Sequence, residues 1–278
     1  MEALDRLQLK VVKAAVPLMM SPSNYRPEFE QFVMTVSAVH DLSDDLRRIT
    51  FQAPEFAEFA LTGPDEYFTL IFPKPGLPLA MPDSDRVNVR SAITRLPEDT
   101  RPSFRWYTIR AIRPAAAEID VDVVVHGDAG PGSAWTLQAR VGERVGFRAG
   151  GSAYRTQPAG GRQLLIADET AMPALYSILE SLPGDAEVTA ILELPSASFD
   201  TPLASAIRPH IVLRGAAAPG SAALAALQDS TIENLDYAWA CGESSLATGA
   251  RRFLVKERNI ERRSIMFSGY WKLGKARN

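Results

Sequence analysis

Between residues 32 and 147 the apolar positions recur every second residue in short runs separated by turns. Runs at 32–36, 48–51, 67–72, 105–110, 118–125 and 144–147 predict six strands. In the fifth, Ile119, Val121, Val123 and Val125 alternate with Asp120 and Asp122, the pattern of one buried and one wet face. Six strands separated by turns predict an antiparallel six-stranded barrel. The proline-rich stretch 73–102 reads as a long surface loop.

After Gly150 and Gly151 the rhythm changes. An apolar strand at 163–167 is followed by a helix with Thr170 as its cap and Pro173 in its first turn, continuing through Leu175, Ile178 and Leu179. Strands at 187–194, 211–213, 237–240 and 264–267 alternate with helices at 222–227 and 246–256. Such alternation predicts an α/β unit, a parallel sheet covered on both faces. The chain therefore divides into an N-terminal arm or helix (1–30), a β-barrel domain (31–152) and an α/β domain with a C-terminal segment (160–278). Residues 156–161 link the last two.

Composition narrows the field. With 278 residues there is room for two well-filled cores. A formal charge of −3 argues against the basic stripe of a nucleic-acid-binding protein. The single cysteine, Cys241, excludes an internal disulfide and a thiolate cluster for zinc or iron–sulfur. Asp168 and Glu169 are too few ligands for a metal site. No apolar run is long enough to span a bilayer, and Lys13 interrupts the apolar stretch 11–20, so the reading is a cytoplasmic protein.

Two segments carry the candidate chemistry. Arg105, Tyr107 and Thr108 place a charge, a flat aromatic face and a hydroxyl on one strand, which suits a flavin's phosphate, ring and ring edge. Downstream, His126 precedes Gly127, Gly130, Pro131, Gly132, Ser133 and Trp135. Glycines there let backbone N–H groups approach a diphosphate, and Pro131 marks a helix start whose N-terminus attracts phosphate. Asp168 beside a helix start is read either as a negatively charged cap or as a group positioning a donor. Cys241, near the end of a parallel strand, is read either as a small core residue or as a neighbour of a bound ligand. Arg251 and Arg252 belong to a late basic cluster with Lys256, Arg258, Arg262, Arg263, Lys272, Lys275 and Arg277. That cluster is either a solvated face or a field steering an anionic donor or chelate.

Taken in order, these segments resemble those of the siderophore-interacting proteins, also called ferric-siderophore reductases, within the ferredoxin–NADP reductase superfamily. The resemblance rests on 105–110, the valine-rich strand ending at His126, Gly130-Pro131 with Trp135, the run Ala167 to Ala174, Cys241-Gly242-Glu243, and Gly269 to Gly274. It implies FAD as cofactor, NADPH or NADH as donor, and a ferric siderophore or other ferric chelate as acceptor, with iron arriving chelated and leaving reduced. It further implies that Arg105 faces the flavin phosphate, Tyr107 stacks on the ring and Thr108 bonds its edge. His126, Gly130, Gly132, Ser133 and Trp135 would hold the diphosphate region. Asp168, Thr170 and Trp271 would border the cofactor, and Lys74, Cys241, Glu243, Arg251 and Arg252 the donor or substrate. The chain departs from the family pattern at Thr69, Ala134 and Ala167, where members often carry lysine, arginine and glycine. A reductase of the same superfamily with a protein or other acceptor, and a non-catalytic binder of chelate or flavin, are the alternatives.

Overall fold

The period-two runs form one antiparallel sheet of eight strands: β1 (Asn24–Tyr25), β2 (Gln31–Ser43), β3 (Leu46–Gln52), β4 (Tyr67–Phe72), β5 (Ser103–Thr108), β6 (Ala111–Arg113), β7 (Glu118–Val124) and β8 (Arg144–Ser152). This computed structural model describes residues 20–26, 30–83, 88–125, 130–157 and 161–275; most of the N-terminal arm expected over 1–30 lies outside them. The strand order is β5-β4-β8-β2-β3-β7-β6, with β1 added beside β8. Its two ends, β5 and β6, are consecutive in the chain. At the step between them Ile109 N donates to Glu66 O (2.8 Å) and Arg110 N to Asp120 O (2.8 Å). One bent run thus changes partners and closes the barrel. All six expected strands are present; the count rises to eight because β6 (Ala111–Arg113) follows the 105–110 run as a separate strand and β1 is added.

Inside the barrel, Val36, Ile49, Phe51, Leu70, Val121 and Val145 pack around Phe147, whose ring stacks between Phe32 (4.7 Å) and Phe68 (4.8 Å). Two expectations need correction. The face of β7 bearing Asp120 and Asp122 is buried, not wet. Asp120 accepts from Thr50 (2.8 Å) and Arg113 (2.5 Å), and Asp122 takes both arms of Arg48 (2.7 and 2.8 Å). Ion pairs from neighbouring strands cover the carboxylates, which alternation alone does not reveal. The stretch 73–102 is likewise more than a surface loop. It contains helix α1 (Val89–Thr94), capped by Asn88, whose Val89 and Ile93 pack on Ile71 in a small satellite core.

The second half forms a five-stranded parallel sheet in the order β11-β10-β9-β12-β13. Its strands are β9 (Gln163–Asp168), β10 (Val188–Leu194), β11 (His210–Leu213), β12 (Tyr237–Glu243) and β13 (Ile265–Trp271). Helix α2 (Pro131–Gln138) belongs to the barrel half, while α3 (Met172–Ser181), α4 (Ser221–Asp229) and α5 (Ser244–Glu257) cover the sheet. Alternation puts Leu165, Ala167, Trp239 and Cys241 on the α3 side, and Leu164, Ile166, Ala238 and Ala240 on the side of α4 and α5. Among the described residues no helix is long and apolar enough to cross a membrane.

Two polar contacts tie the halves together. Arg110 forms a two-armed pair with Glu180 of α3 (2.7 Å each), and Glu180 also accepts from Ala204 N (3.1 Å). Asp65, wholly buried in the turn before β4, accepts from Ser152 Oγ (2.5 Å), Ala153 N (3.1 Å), Tyr154 N (2.9 Å) and Trp239 Nε1 (3.2 Å). One carboxylate thus joins the barrel, the linker and β12. Removing it strands several buried donors, so Asp65→Ala is expected to lower unfolding free energy by at least about 3 kcal/mol. Denaturant titration checks this; a loss below about 1 kcal/mol would show that water replaces the carboxylate at little cost.

Candidate functional site

Helix α2 begins where the glycines and Pro131 predict, with Gly130 as its N-cap and no capping side chain there. Its first turn lies against β5. A Cβ on Gly132 would fall 2.9 Å from Tyr107 Oη and 3.1 Å from Arg105 Cγ, so a larger residue there would have to push these side chains aside. Arg105 and Tyr107, two apart, share the strand face beneath the helix start; Thr108 points to the other face and is buried. Among the described residues no carboxylate pairs with Arg105, whose Nη1 donates only to Phe104 O (2.7 Å). Burial holds its guanidinium below the ordinary range, and the charge of Arg90 adds to the effect. The group nonetheless stays cationic. Burial pushes the Tyr107 phenol up to about 12.

Beyond this contact the face of β5 runs into a cleft of about 720 Å³, bordered by Ser103, Lys74, Leu79, Pro131, Ala134 and Arg144. That volume falls within the range of small-molecule sites. Lys74 stands at its wall and donates to Glu98 O (2.6 Å). Trp135 borders the cleft, but its ring stacks on Phe72 (5.3 Å) and Phe51 (6.4 Å) in the barrel core and its Nε1 donates to Glu143 (2.7 Å). Ser133 is partly exposed in the first turn of α2. His126 lies outside the described residues.

At the C-terminal edge of the parallel sheet, Asp168 is fully buried and its two oxygens are surrounded by donors. Oδ1 accepts from Thr170 N (2.9 Å), Thr170 Oγ1 (2.6 Å) and Ala171 N (3.3 Å). Oδ2 accepts from Glu243 N (2.6 Å) and Trp271 Nε1 (3.0 Å). The expected cap is therefore displaced: Ala171 is the N-cap of α3 and no side chain caps the helix, while Asp168 takes the N–H groups of Thr170 and Ala171 in the turn before it. Gly242 holds φ +134° with the Asp168 carboxylate 2.5 Å from where a Cβ would stand. The backbone of β12 is shaped around that acid.

Glu243 caps α5, accepting from Ser245 N and Leu246 N, and it also takes Leu273 N (3.2 Å). Cys241 is fully buried in the α3-side core, and burial pushes its thiol well above the ordinary range. Arg251 stacks on Phe267 (4.5 Å), while Arg252 is exposed on α5. The structure thus brings Arg105, Tyr107 and Gly132 together, and separately Asp168, Thr170, Glu243 and Trp271. Lys74 and the α5 arginines border different surfaces.

Sequence reasoning missed Glu193, Arg214 and Asp65. Arg214 is bidentate on buried Glu169 (2.6 and 2.8 Å), and Glu193 accepts from Gly220 N (2.6 Å) and Ala223 N (2.9 Å) at the start of α4. The partners are tens of residues apart. Only the strand-end position of Glu193 hinted at this role.

A closed antiparallel barrel carrying an R-x-Y-T strand, joined to a parallel α/β sheet, defines the ferredoxin reductase-like class of flavoprotein folds. Residues 35–153 match the siderophore-interacting FAD-binding domain, and residues 161–274 match the siderophore-interacting protein family. The chain belongs to that family and contains its FAD-binding domain. It is 27% identical over 246 residues to the ferric vibriobactin reductase ViuB of Vibrio cholerae, covering 84% of this chain and 86% of that one. A siderophore utilization protein from T. fusca superposes with a TM-score of 0.78 at 26% identity, covering 92% of this chain and 97% of that one. The cytochrome b5 reductase domain of Ulva prolifera nitrate reductase shares the fold alone, with a TM-score of 0.60 at 14% identity, covering 86% and 97%.

Burial, and next the charge of Glu169, lift the Asp168 carboxyl to about 6. Because the folded value exceeds the unfolded one near ~4, the folded state binds this proton more tightly, and the associated stability fades as pH rises through about 6. Melting of wild type and Asp168→Asn across this range should show their difference shifting in favour of the Asn variant with rising pH. A pH-independent difference would mean that Asp168 titrates outside the window.

Proposed function

We propose that the chain is an FAD-dependent ferric-siderophore or ferric-chelate reductase drawing electrons from NADH or NADPH. The observation that carries this reading is the N-terminus of α2 seated over Arg105, a half-buried cation; among the described residues no side chain caps that helix start and no carboxylate pairs with Arg105. A cation in that position, beside free helix N–H groups, matches a diphosphate. In this reading Arg105, Gly130, Gly132, Ser133 and His126 hold the cofactor's diphosphate, with the adjoining cleft as the remaining room. Tyr107 offers its ring face, and Trp271, fixed by Asp168, borders the far side; Thr108, the hydroxyl that the family resemblance assigns to the ring edge, is buried on the opposite strand face. Residues 31–152 then form the cofactor half and 160–278 the donor half.

When bound, FAD supplies the capacity to take a hydride and return electrons singly to Fe(III). The residues of this chain orient the cofactor and set the local charge, and no paired acid and base is required. Ferrous iron binds hard oxygen chelators more weakly, so reduction releases it. Lys74 and exposed Arg252 are the cations available to an anionic chelate.

Two outcomes are expected. Purified protein takes up FAD and turns yellow, and Arg105→Ala raises the FAD Kd at least about tenfold, since a charge-assisted phosphate contact is lost; fluorescence titration measures this, and an unmoved Kd places the phosphate elsewhere. Anaerobic holoprotein reduced with dithionite is reoxidised by a ferric chelate while Fe(II) accumulates. Flavin that stays reduced in the presence of every ferric chelate tried would sink the reductase reading.

A further inference from the structure

Parallel α/β sheets bind nucleotides at their C-terminal edge, where helix N-termini present positive partial charge and free N–H groups to phosphate. In this chain a buried carboxylate stands at each helix that starts at that edge, either on its first N–H groups or in the turn leading into it. Asp168 fills the turn between β9 and α3, taking Thr170 N (2.9 Å) and Ala171 N (3.3 Å) just before the helix begins. Glu193 occupies the start of α4 through Gly220 N (2.6 Å) and Ala223 N (2.9 Å). Glu243 occupies the start of α5 through Ser245 N and Leu246 N. All three acids are at most 2% exposed. Arg214, the buried cation there, is paired with Glu169 (2.6 Å) and Glu193 (3.5 Å). The left-handed φ of Gly242, with the Asp168 carboxylate in its Cβ space, shows that this plug is built into the backbone. Among the helices of eight residues or more, α2 alone has no carboxylate at its start among the described residues.

We infer that Asp168 stands where a donor's diphosphate would otherwise bind, with Glu193 and Glu243 closing the neighbouring helix ends, so that the α/β half selects its electron donor by the redox ring that meets the flavin and not by a dinucleotide phosphate. Asp168 is thereby a specificity-determining residue. It meets an incoming diphosphate with like charge and already holds the N–H groups of Thr170 and Ala171 in the turn before α3. The inference rests on the reading that this half delivers electrons to FAD.

ADP-ribose, which carries the diphosphate and adenosine without nicotinamide, is the direct probe. Calorimetric titration of the FAD-loaded protein should show no saturation up to millimolar ADP-ribose; micromolar binding overturns the inference. Anaerobic bleaching by NADH and by reduced nicotinamide mononucleotide should give second-order rate constants within about threefold of each other, whereas a preference of about a hundredfold for the dinucleotide overturns it. If neither bleaches the flavin, the ADP-ribose titration decides alone. Asp168→Asn, its fold checked by melting, should tighten ADP-ribose at least about tenfold; a folded variant without that gain removes Asp168 from the role, and an unfolded one leaves the wild-type titration to decide. The dithionite and ferric-chelate experiment probes the reductase reading separately, and its failure leaves the ADP-ribose result standing.

Discussion

A carboxylate taken out of water must be surrounded by donors, and that requirement organises this molecule. Asp65 meets it by gathering a hydroxyl, linker N–H groups and the indole of Trp239, which fixes the barrel against the parallel sheet. Asp168 meets it by joining the start of α3, the end of β12 and Trp271. Neither acid is replaceable by an apolar group without leaving buried N–H groups unpaired. Their positions therefore decide how the halves dock and where backbone donors remain available.

Seen through that constraint, the two halves have opposite electrostatic character at their helix starts. Among the described residues no side chain caps α2 above Arg105, an arrangement suited to an anion from outside. The α/β half sets its own buried carboxylates at or just before its helix starts. Under the proposed function, the barrel half would hold the cofactor's diphosphate and the α/β half would meet the flavin through the donor's redox ring.

Much of the architecture was legible along the chain. Period-two runs marked the long barrel strands, and the alternation of strand and helix after Gly151 marked the parallel sheet. Arg105, Tyr107, Gly132 and Pro131 were legible as a group because strand periodicity and helix-start chemistry are local properties. Asp120 and Asp122 were misjudged because Arg48 and Arg113, on other strands, cover them. Helix α1 was missed because its stretch is proline-rich and its apolar residues are few. Trp135 looked like a cofactor neighbour, yet Phe51, Phe72 and Glu143 claim its ring and its N–H.

From the sequence alone came the two-part architecture, the family likeness, and the pairing of the Arg105 strand with the glycine turn, since these rest on period, spacing and backbone freedom. Only the folded chain decided which charges stay available. Asp168, Glu193 and Glu243 look alike as letters, and their partners lie from two to more than a hundred residues away. Whether an acid repels a ligand, caps a helix or pins two strands depends on which N–H groups surround it, and packing alone sets that.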